Sequence, residues 1–168
     1  MKNLYLIRHA KSDWDDISIK DFDRPLNARG HRNAPFMAKK LKNRIETTDL
    51  IVSSPANRAI TTAFYFAKQF DIELKTIKQE LKIYEAPVVR LLEVVNNLDN
   101  TCKDVLIFGH NPGFSYLVNY VTGHICQMPT CSIAHVQFDL DDWKLISANT
   151  GRFIDLDYPK RYTQDLLR

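Results

Sequence analysis

Two arginines and two histidines follow short apolar runs in this sequence, and together they suit the chemistry of a phosphoryl group. Leu4-Tyr5-Leu6-Ile7 passes at once into Arg8-His9. Leu50-Ile51-Val52 leads through Ser53-Ser54-Pro55-Ala56-Asn57 to Arg58, and Val105-Leu106-Ile107-Phe108 leads through Gly109 to His110. Arginine donates two parallel bonds to two phosphate oxygens and does not lose its charge. A neutral imidazole aimed at phosphorus, with its other N–H held by a carbonyl or carboxylate, is a nucleophile able to form a phosphohistidine. Guanidinium groups around it would neutralise the charge that develops on the equatorial oxygens.

The elements that must position these groups are legible in the hydropathy pattern. The three apolar runs read as strands buried on both faces, as in a covered parallel sheet. Between and after them lie helical patterns at Ala34, Met37, Ala38, Leu41, Ile45; at Ile60, Ala63, Phe64, Ala67; at Val88, Leu91, Leu92, Val95; and at Phe114, Leu117, Val118, Val121. Strands alternating with helices predict a single three-layer α/β/α domain over residues 1–168, with a mostly parallel central sheet. Ile72 and Leu74 open a further alternating stretch. Ile133 to Leu140 and Trp143 to Ser147 read as a C-terminal hairpin, and the tail from Tyr158 as surface wrapping. Asn27 is the expected N-cap of the first helix, although Gly30 and Pro35 predict a late start or a kink.

Ligands of open α/β sheets bind beyond the carboxyl ends of the strands, so Arg8, His9, Arg58 and His110 are expected on one rim. Ser54 suits an N-cap and Pro55 the first helical position, which would set Arg58 in the first turn of the helix. An arginine there opposes the helix dipole and needs an anion in compensation. Gly109 would let the backbone approach a ligand closely.

Composition sets the outer bounds. The 168 residues are 45% hydrophobic and 11% aromatic, enough for a packed core and too apolar for a disordered regulator. A net charge of +3 is too mild to mark a nucleic-acid binder. Cys102, Cys126 and Cys131 are odd in number with no CxxC, which reads as reduced thiols. No apolar segment approaches a membrane span, and the expected location is the cytoplasm. His31, His124 and His135 form no ligand pair at useful spacing, so no metal is expected. Lys39, Lys40, Lys42 and Arg44 lie opposite the apolar stripe of their helix, as a solvated face.

Leu6-Ile7-Arg8-His9-Ala10-Lys11-Ser12 resembles the Arg-His-Gly signature of the histidine phosphatase superfamily, also called phosphoglycerate mutase-like, with Ala10 in place of the usual glycine. Asp23-Arg24-Pro25-Leu26-Asn27-Ala28-Arg29-Gly30, Ser53-Ser54-Pro55-Ala56-Asn57-Arg58-Ala59-Ile60-Thr61-Thr62-Ala63 and Gly109-His110-Asn111-Pro112 resemble its small SixA-type phosphohistidine phosphatase branch. The resemblance implies that His9 is transiently phosphorylated, that Arg8 and Arg58 grip phosphate oxygens, that His110 completes the pocket, and that neither a metal nor an organic cofactor is used. The expected partner is a phosphorylated protein, such as a phosphorelay component, or a small phosphorylated molecule.

Larger members of that superfamily contribute an acid that protonates the leaving group. Here Glu85 is the nearest candidate by chain position, with Asp13 and Asp23 behind it. Ser12 and Asn111 are candidate substrate contacts, with Lys11 and the exposed-looking Trp14 beside them. Asp23 and Arg24 could pair to hold the loop next to the site. An alkoxide needs a proton to leave whereas an imidazole, of reference pKa ~6.5, leaves easily, so a weak acid favours phosphohistidine as substrate. The alternatives are a small phosphate ester or other phosphoramidate, and a module that binds phosphate without turnover.

Overall fold

The computed structural model describes residues 1–163. Its strands are β1 (Lys2–Arg8), β2 (Leu50–Ser53), β3 (Lys78–Gln79), β4 (Asp104–Gly109), β5 (Ile133–Phe138) and β6 (Gly151–Asp157). Its α-helices are α1 (Ala28–Arg44), α2 (Asn57–Gln69), α3 (Val88–Asn96) and α4 (Gly113–Thr122). The sheet order is β3-β2-β4-β1-β5-β6, parallel from β3 to β1 and antiparallel at β5 and β6.

Successive residues of a strand point to opposite faces, which explains why the central strands are apolar throughout. Leu4, Leu6, Val105 and Ile107 pack with Leu91 and Val95 of α3 and with Phe114 and Leu117 of α4. Tyr5, Ile7, Leu106 and Phe108 pack on the other face with Met37 and Leu41 of α1 and with Ala63 and Phe66 of α2. Each fully buried Leu, Ile or Phe contributes about 1.5–3 kcal/mol relative to its exposed state, and the two cores clamp the sheet between helix pairs. The result is the α/β/α arrangement expected from the sequence. Among the described residues no helix is long and apolar enough to cross a membrane, and all three cysteines are free thiols.

Several local expectations are corrected. α1 starts at Ala28 without delay, because the Asn27 side chain accepts the Gly30 N–H at 2.9 Å and caps the first turn. Pro35 lies inside the helix, where it has no N–H to donate to the His31 carbonyl. α2 starts at Asn57, with Ala56 as a cap that has no side-chain bond, so Arg58 is its second residue and not its fourth. Ser54 is therefore not the N-cap; its Oγ accepts the Ala56 N–H at 3.3 Å and lies 2.8 Å from His110 Nε2. The stretch from Ile72 is not a strand: it forms a 3-10 turn at Leu74–Thr76 and only two residues of β3, while Ile72 and Ile77 drop onto the α1/α2 core.

The hairpin exists, but its second strand is β6 and not Trp143–Ser147. Trp143 is fully buried and its indole N–H donates to the Cys102 carbonyl at 2.9 Å, which pulls Trp143–Leu145 into a 3-10 turn. Of the C-terminal tail, Pro159–Tyr162 forms a turn with Tyr162 edge-on to Phe36 of α1, and the rest of the expected wrapping lies outside the described residues.

Gly30 ties α1 to the segment after β1. A Cβ at this position would lie 2.2 Å from the Lys11 carbonyl oxygen and 3.1 Å from the Lys11 nitrogen. Glycine to alanine inside a helix normally stabilises by up to about 1 kcal/mol. Here the clash reverses the sign, and Gly30→Ala is expected to cost about 1–3 kcal/mol by overpacking. A melting temperature lower by roughly 2–12 °C in calorimetry is the expected result, and an unchanged or higher one would show that the Lys11 segment yields freely.

Candidate active site

The parallel ladder extends past the strand ends. The His9 N–H donates to the Gly109 carbonyl at 3.0 Å and the Ser54 N–H donates to the Phe108 carbonyl at 2.9 Å. Arg8 faces Gly109 across β1 and β4, and Ser53 faces Phe108 across β2 and β4. His9, Ser54 and His110 therefore emerge at one level of the sheet. The imidazole centroids of His9 and His110 lie 5.4 Å apart. Arg8, His9, Arg58 and His110 are all brought together, and each guanidinium lowers the basicity of both imidazoles.

The loop carrying His9 is fixed from several sides. The Cys131 N–H is shared by the Arg8 and His9 carbonyls, at 3.1 and 3.0 Å. The Ala10 N–H donates to the Thr62 hydroxyl at 3.0 Å, and that hydroxyl donates to the Arg58 carbonyl at 2.7 Å. Thr62 is fully buried and so joins the His9 loop to the turn that bears Arg58.

The chemistry of His9 follows from its surroundings. Its Nδ1 lies 2.7 Å from the Ala10 carbonyl, an acceptor only, so Nδ1 carries the proton and Nε2 keeps its lone pair. Burial pushes its pKa down to about 4; the Ala10 bond opposes this, while Arg58 and Arg8 add to it. At neutral pH His9 is an uncharged imidazole in the tautomer required of an Nε2 nucleophile. Burial likewise brings His110 to about 3, with His9 and Arg58 adding to the effect. Arg8 Nη1 donates to the Met128 carbonyl at 2.9 Å, whereas Arg8 Nε and His110 Nδ1 are buried without a partner among the described residues.

A carboxylate that sequence reasoning did not single out sits among these cations. Arg58 donates from Nη1 to the Asp21 carbonyl at 2.6 Å and from Nη2 to Asp21 Oδ2 at 3.0 Å. Tyr84 donates its hydroxyl to the same Oδ2 at 2.5 Å, and Arg24 Nη2 donates to Oδ1. Partial burial works to raise the Asp21 pKa and is outweighed by the Tyr84 hydroxyl and the two guanidiniums, which hold it below its ordinary value. Tyr84 is raised to about 12 by burial and by its bond to Asp21, and its ring stands edge-on to His110 with centroids 5.5 Å apart. The anion that Arg58 needs at a helix start is thus supplied within the chain. Arg24 pairs with Asp21 and not with Asp23, whose side chain faces solvent, because the 3-10 turn at Asp21–Asp23 turns only Asp21 inward. The signal available beforehand was the dipole argument at Arg58, which called for an anion without saying which.

The remaining candidates fall into separate roles. Glu85 is exposed, with a left-handed backbone (φ 49°), and lines a cleft of about 610 Å³ together with Asp21, Arg58, His110 and Asn111. Asn111 spends its amide on structure: Nδ2 donates to the Met128 carbonyl at 3.1 Å, and Oδ1 accepts the Ser115 N–H and hydroxyl at 3.2 and 3.1 Å. Ser12 is buried where its backbone pairs with Leu26. Lys11 offers its carbonyl to the Asn27 N–H at 3.0 Å. The Arg24 guanidinium lies 3.5 Å from the centroid of the exposed Trp14 ring, and Asp13 caps Asp15 in an exposed turn. Gly109 does not serve ligand approach: a Cβ there would strike Phe114 at 2.5 Å and Ile83 at 2.7 Å, so the missing side chain makes room for the core. His31, His124 and His135 pair with Tyr65, Phe153 and Tyr5, away from the cleft.

The description of the histidine phosphatase superfamily (branch 1) matches residues 4–83, which hold Arg8, His9, Asp21, Arg24 and Arg58. Over those residues the chain is similar to the histidine phosphatase superfamily. A crystal structure of a candidate phosphohistidine phosphatase SixA from Agrobacterium tumefaciens is 26% identical and covers 94% of this chain and 98% of its own, with a TM-score of 0.77. The protein histidine phosphatase SixA complexed with tungstate shares the fold at a TM-score of 0.81, with 22% identity over 95% of this chain and 98% of that one. An uncharacterized chloroplastic protein of Arabidopsis thaliana is 27% identical over 158 residues, which is 89% of this chain and 72% of that protein.

The lowered histidines have a consequence for stability. His9 and His135 at about 4 and His110 at about 3 bind fewer protons folded than unfolded, where the reference is ~6.5. Below pH 6.5 the unfolded chain takes up the extra protons, so stability is expected to fall progressively from pH 6.5 toward pH 4. His9→Gln removes one of the three contributions, and melting curves across that range should show a shallower decline than wild type. Parallel slopes for the two proteins would mean that His9 is not held neutral.

Proposed function

We propose that this protein is a member of the histidine phosphatase superfamily and removes phosphoryl groups through a covalent intermediate on His9, with phosphohistidine in a protein as its substrate. The observation that carries the reading is the neutral His9 imidazole, its Nδ1 proton tied to the Ala10 carbonyl, set beside His110, the buried Arg58 and the half-buried Arg8. His9 Nε2 attacks phosphorus and the bond from phosphorus to the leaving nitrogen or oxygen breaks. Arg8 and Arg58 donate to the equatorial oxygens as their charge rises. Ser54 Oγ already accepts the Ala56 N–H at 3.3 Å, and a hydroxyl proton given to His110 Nε2 leaves the His110 Nδ1 proton for a phosphoryl oxygen. Water then attacks the phosphohistidine, releasing phosphate and restoring the imidazole.

The acids at the cleft favour an easily expelled leaving group. Asp21 is held ionised by Tyr84, Arg58 and Arg24 and is a poor proton donor at neutral pH. Glu85 stands exposed at the mouth. Imidazole leaves with less help than an alkoxide, which supports a phosphoramidate. The cleft adjoins a second cavity of about 720 Å³ that shares Asn111, Pro112 and Tyr116 with it, an open arrangement suited to a segment of a phosphoprotein. A small phosphate ester is the second reading, and it rests on the presence of Glu85 in the same cleft as Arg58 and His110.

Turnover of a phosphohistidine peptide and of an aryl phosphate in metal-free buffer tests both readings. His9→Ala is expected to lower kcat by at least about 10³-fold on either substrate, and full activity in that variant would overturn the mechanism. Arg58→Lys, which loses the planar fork, is expected to cost about 10²-fold. Glu85→Gln should leave the phosphoramidate rate intact. Loss of aryl phosphate turnover alone in Glu85→Gln would assign Glu85 to leaving-group protonation and favour the ester reading. Phosphate binding with no turnover of either substrate by wild type would make the site a binding module.

A further inference from the structure

The Asp21 carboxylate is bound in the way an oxyanion would be. Both of its oxygens accept charge-assisted bonds, Oδ2 from Arg58 at 3.0 Å and Oδ1 from Arg24, and Tyr84 adds a third donor at 2.5 Å. These donors come from three separate parts of the fold: the segment before α1, the first turn of α2 and the turn before α3. The two guanidiniums lie beneath the carboxylate, with side-chain exposures of 9% for Arg58 and 10% for Arg24 against 42% for Asp21. Asp21 therefore covers them on the solvent side, and it lines the cleft with Arg58 and His110. A phosphoryl group entering that cleft meets the same Arg58 Nη2 donor, while Nη1 is held by the Asp21 backbone carbonyl at 2.6 Å.

Charge counting points the same way. Arg8, Arg24 and Arg58 bring three positive charges and Asp21 one negative, while both histidines are neutral near pH 7. With Glu85 at the mouth of the same cleft, three guanidiniums face two carboxylates, and the site keeps a net positive charge for an oxyanion. Without Asp21 the site would carry one more unit of positive charge and would hold an oxyanion more firmly.

We propose that Asp21 is a resident anion of the phosphoryl site, its carboxylate occupying the Arg58 Nη2 donor that a phosphoryl oxygen takes when substrate or product binds. Binding displaces the carboxylate from the guanidinium, and its return helps expel phosphate. Asp21 thereby sets how tightly the site holds oxyanions, a role separate from proton donation. This rests on the reading of the cleft as a phosphoryl site, and the tests separate the two.

Titration calorimetry of wild type and Asp21→Asn with inorganic phosphate and with tungstate, at pH 7 and fixed ionic strength, reads the effect directly. Loss of the competing charge is expected to tighten both ions by about tenfold or more, with KM falling in step and kcat not rising. Unchanged or weaker binding in a variant that melts like wild type would overturn the inference, because a residue that merely aims Arg58 weakens binding when removed. Asp21→Ser repeats the test should the asparagine fold poorly. A tungstate-bound crystal structure of wild type needs no variant: Arg58 should bond a tungstate oxygen and no longer Asp21 Oδ2, and an intact Arg58–Asp21 bond beside bound tungstate would also overturn it. Wild type that binds neither ion would remove the phosphoryl-site reading itself, and this inference with it.

Discussion

The backbone hydrogen bonds that run one residue beyond the parallel strands support the rest of the site. The bonds from His9 N–H to Gly109 and from Ser54 N–H to Phe108 keep the ladder in register where the chain leaves the sheet. Every side chain with chemistry then starts from a backbone position fixed by the sheet. Because β1, β2 and β4 are covered on both faces, that ladder is shielded from water and its geometry is stiff.

Rigidity also explains the electrostatics. Two imidazoles and three guanidiniums are forced close together in a partly desolvated rim, and the protein accommodates them by keeping both imidazoles neutral. The tautomer of His9 is set by the carbonyl of its own neighbour, Ala10, so the nucleophile is prepared by local backbone geometry. Asp21 offsets one of the three positive charges, and Tyr84 joins that carboxylate to the ring of His110. Nucleophile, phosphate grip and compensating anion therefore form one connected unit.

Thr62 shows how the unit is assembled across the fold. Its hydroxyl takes the Ala10 N–H and gives its proton to the Arg58 carbonyl, so the loop after β1 and the start of α2 share one buried atom. The Cys131 N–H does similar work from the far side of the sheet, where the chain enters β5. Neither residue needs to touch a ligand to fix where His9 stands.

The sequence by itself determined the three buried strands, the four helices between and after them, the Asn27 cap and the convergence of Arg8, His9, Arg58 and His110. All of these rest on local pattern: apolar runs, helical periodicity and the rule that ligands meet strand ends. Short-range signals failed where a distant partner won. α2 began after Ala56, leaving the Ser54 hydroxyl beside His110, Trp143 is buried in the core and not in a strand, and Gly109 makes room for Phe114 and Ile83. Asp21 was invisible for the same reason. Its partners Arg58 and Tyr84 lie 37 and 63 residues away, and only packing of α2 and the turn before α3 against the loop after β1 brings them to one carboxylate. Residue type and spacing could call for an anion at Arg58, but the choice of Asp21 over Asp23 or Glu85 was made by tertiary structure, because a charge is selected by the distance and solvent around it and not by its position along the chain.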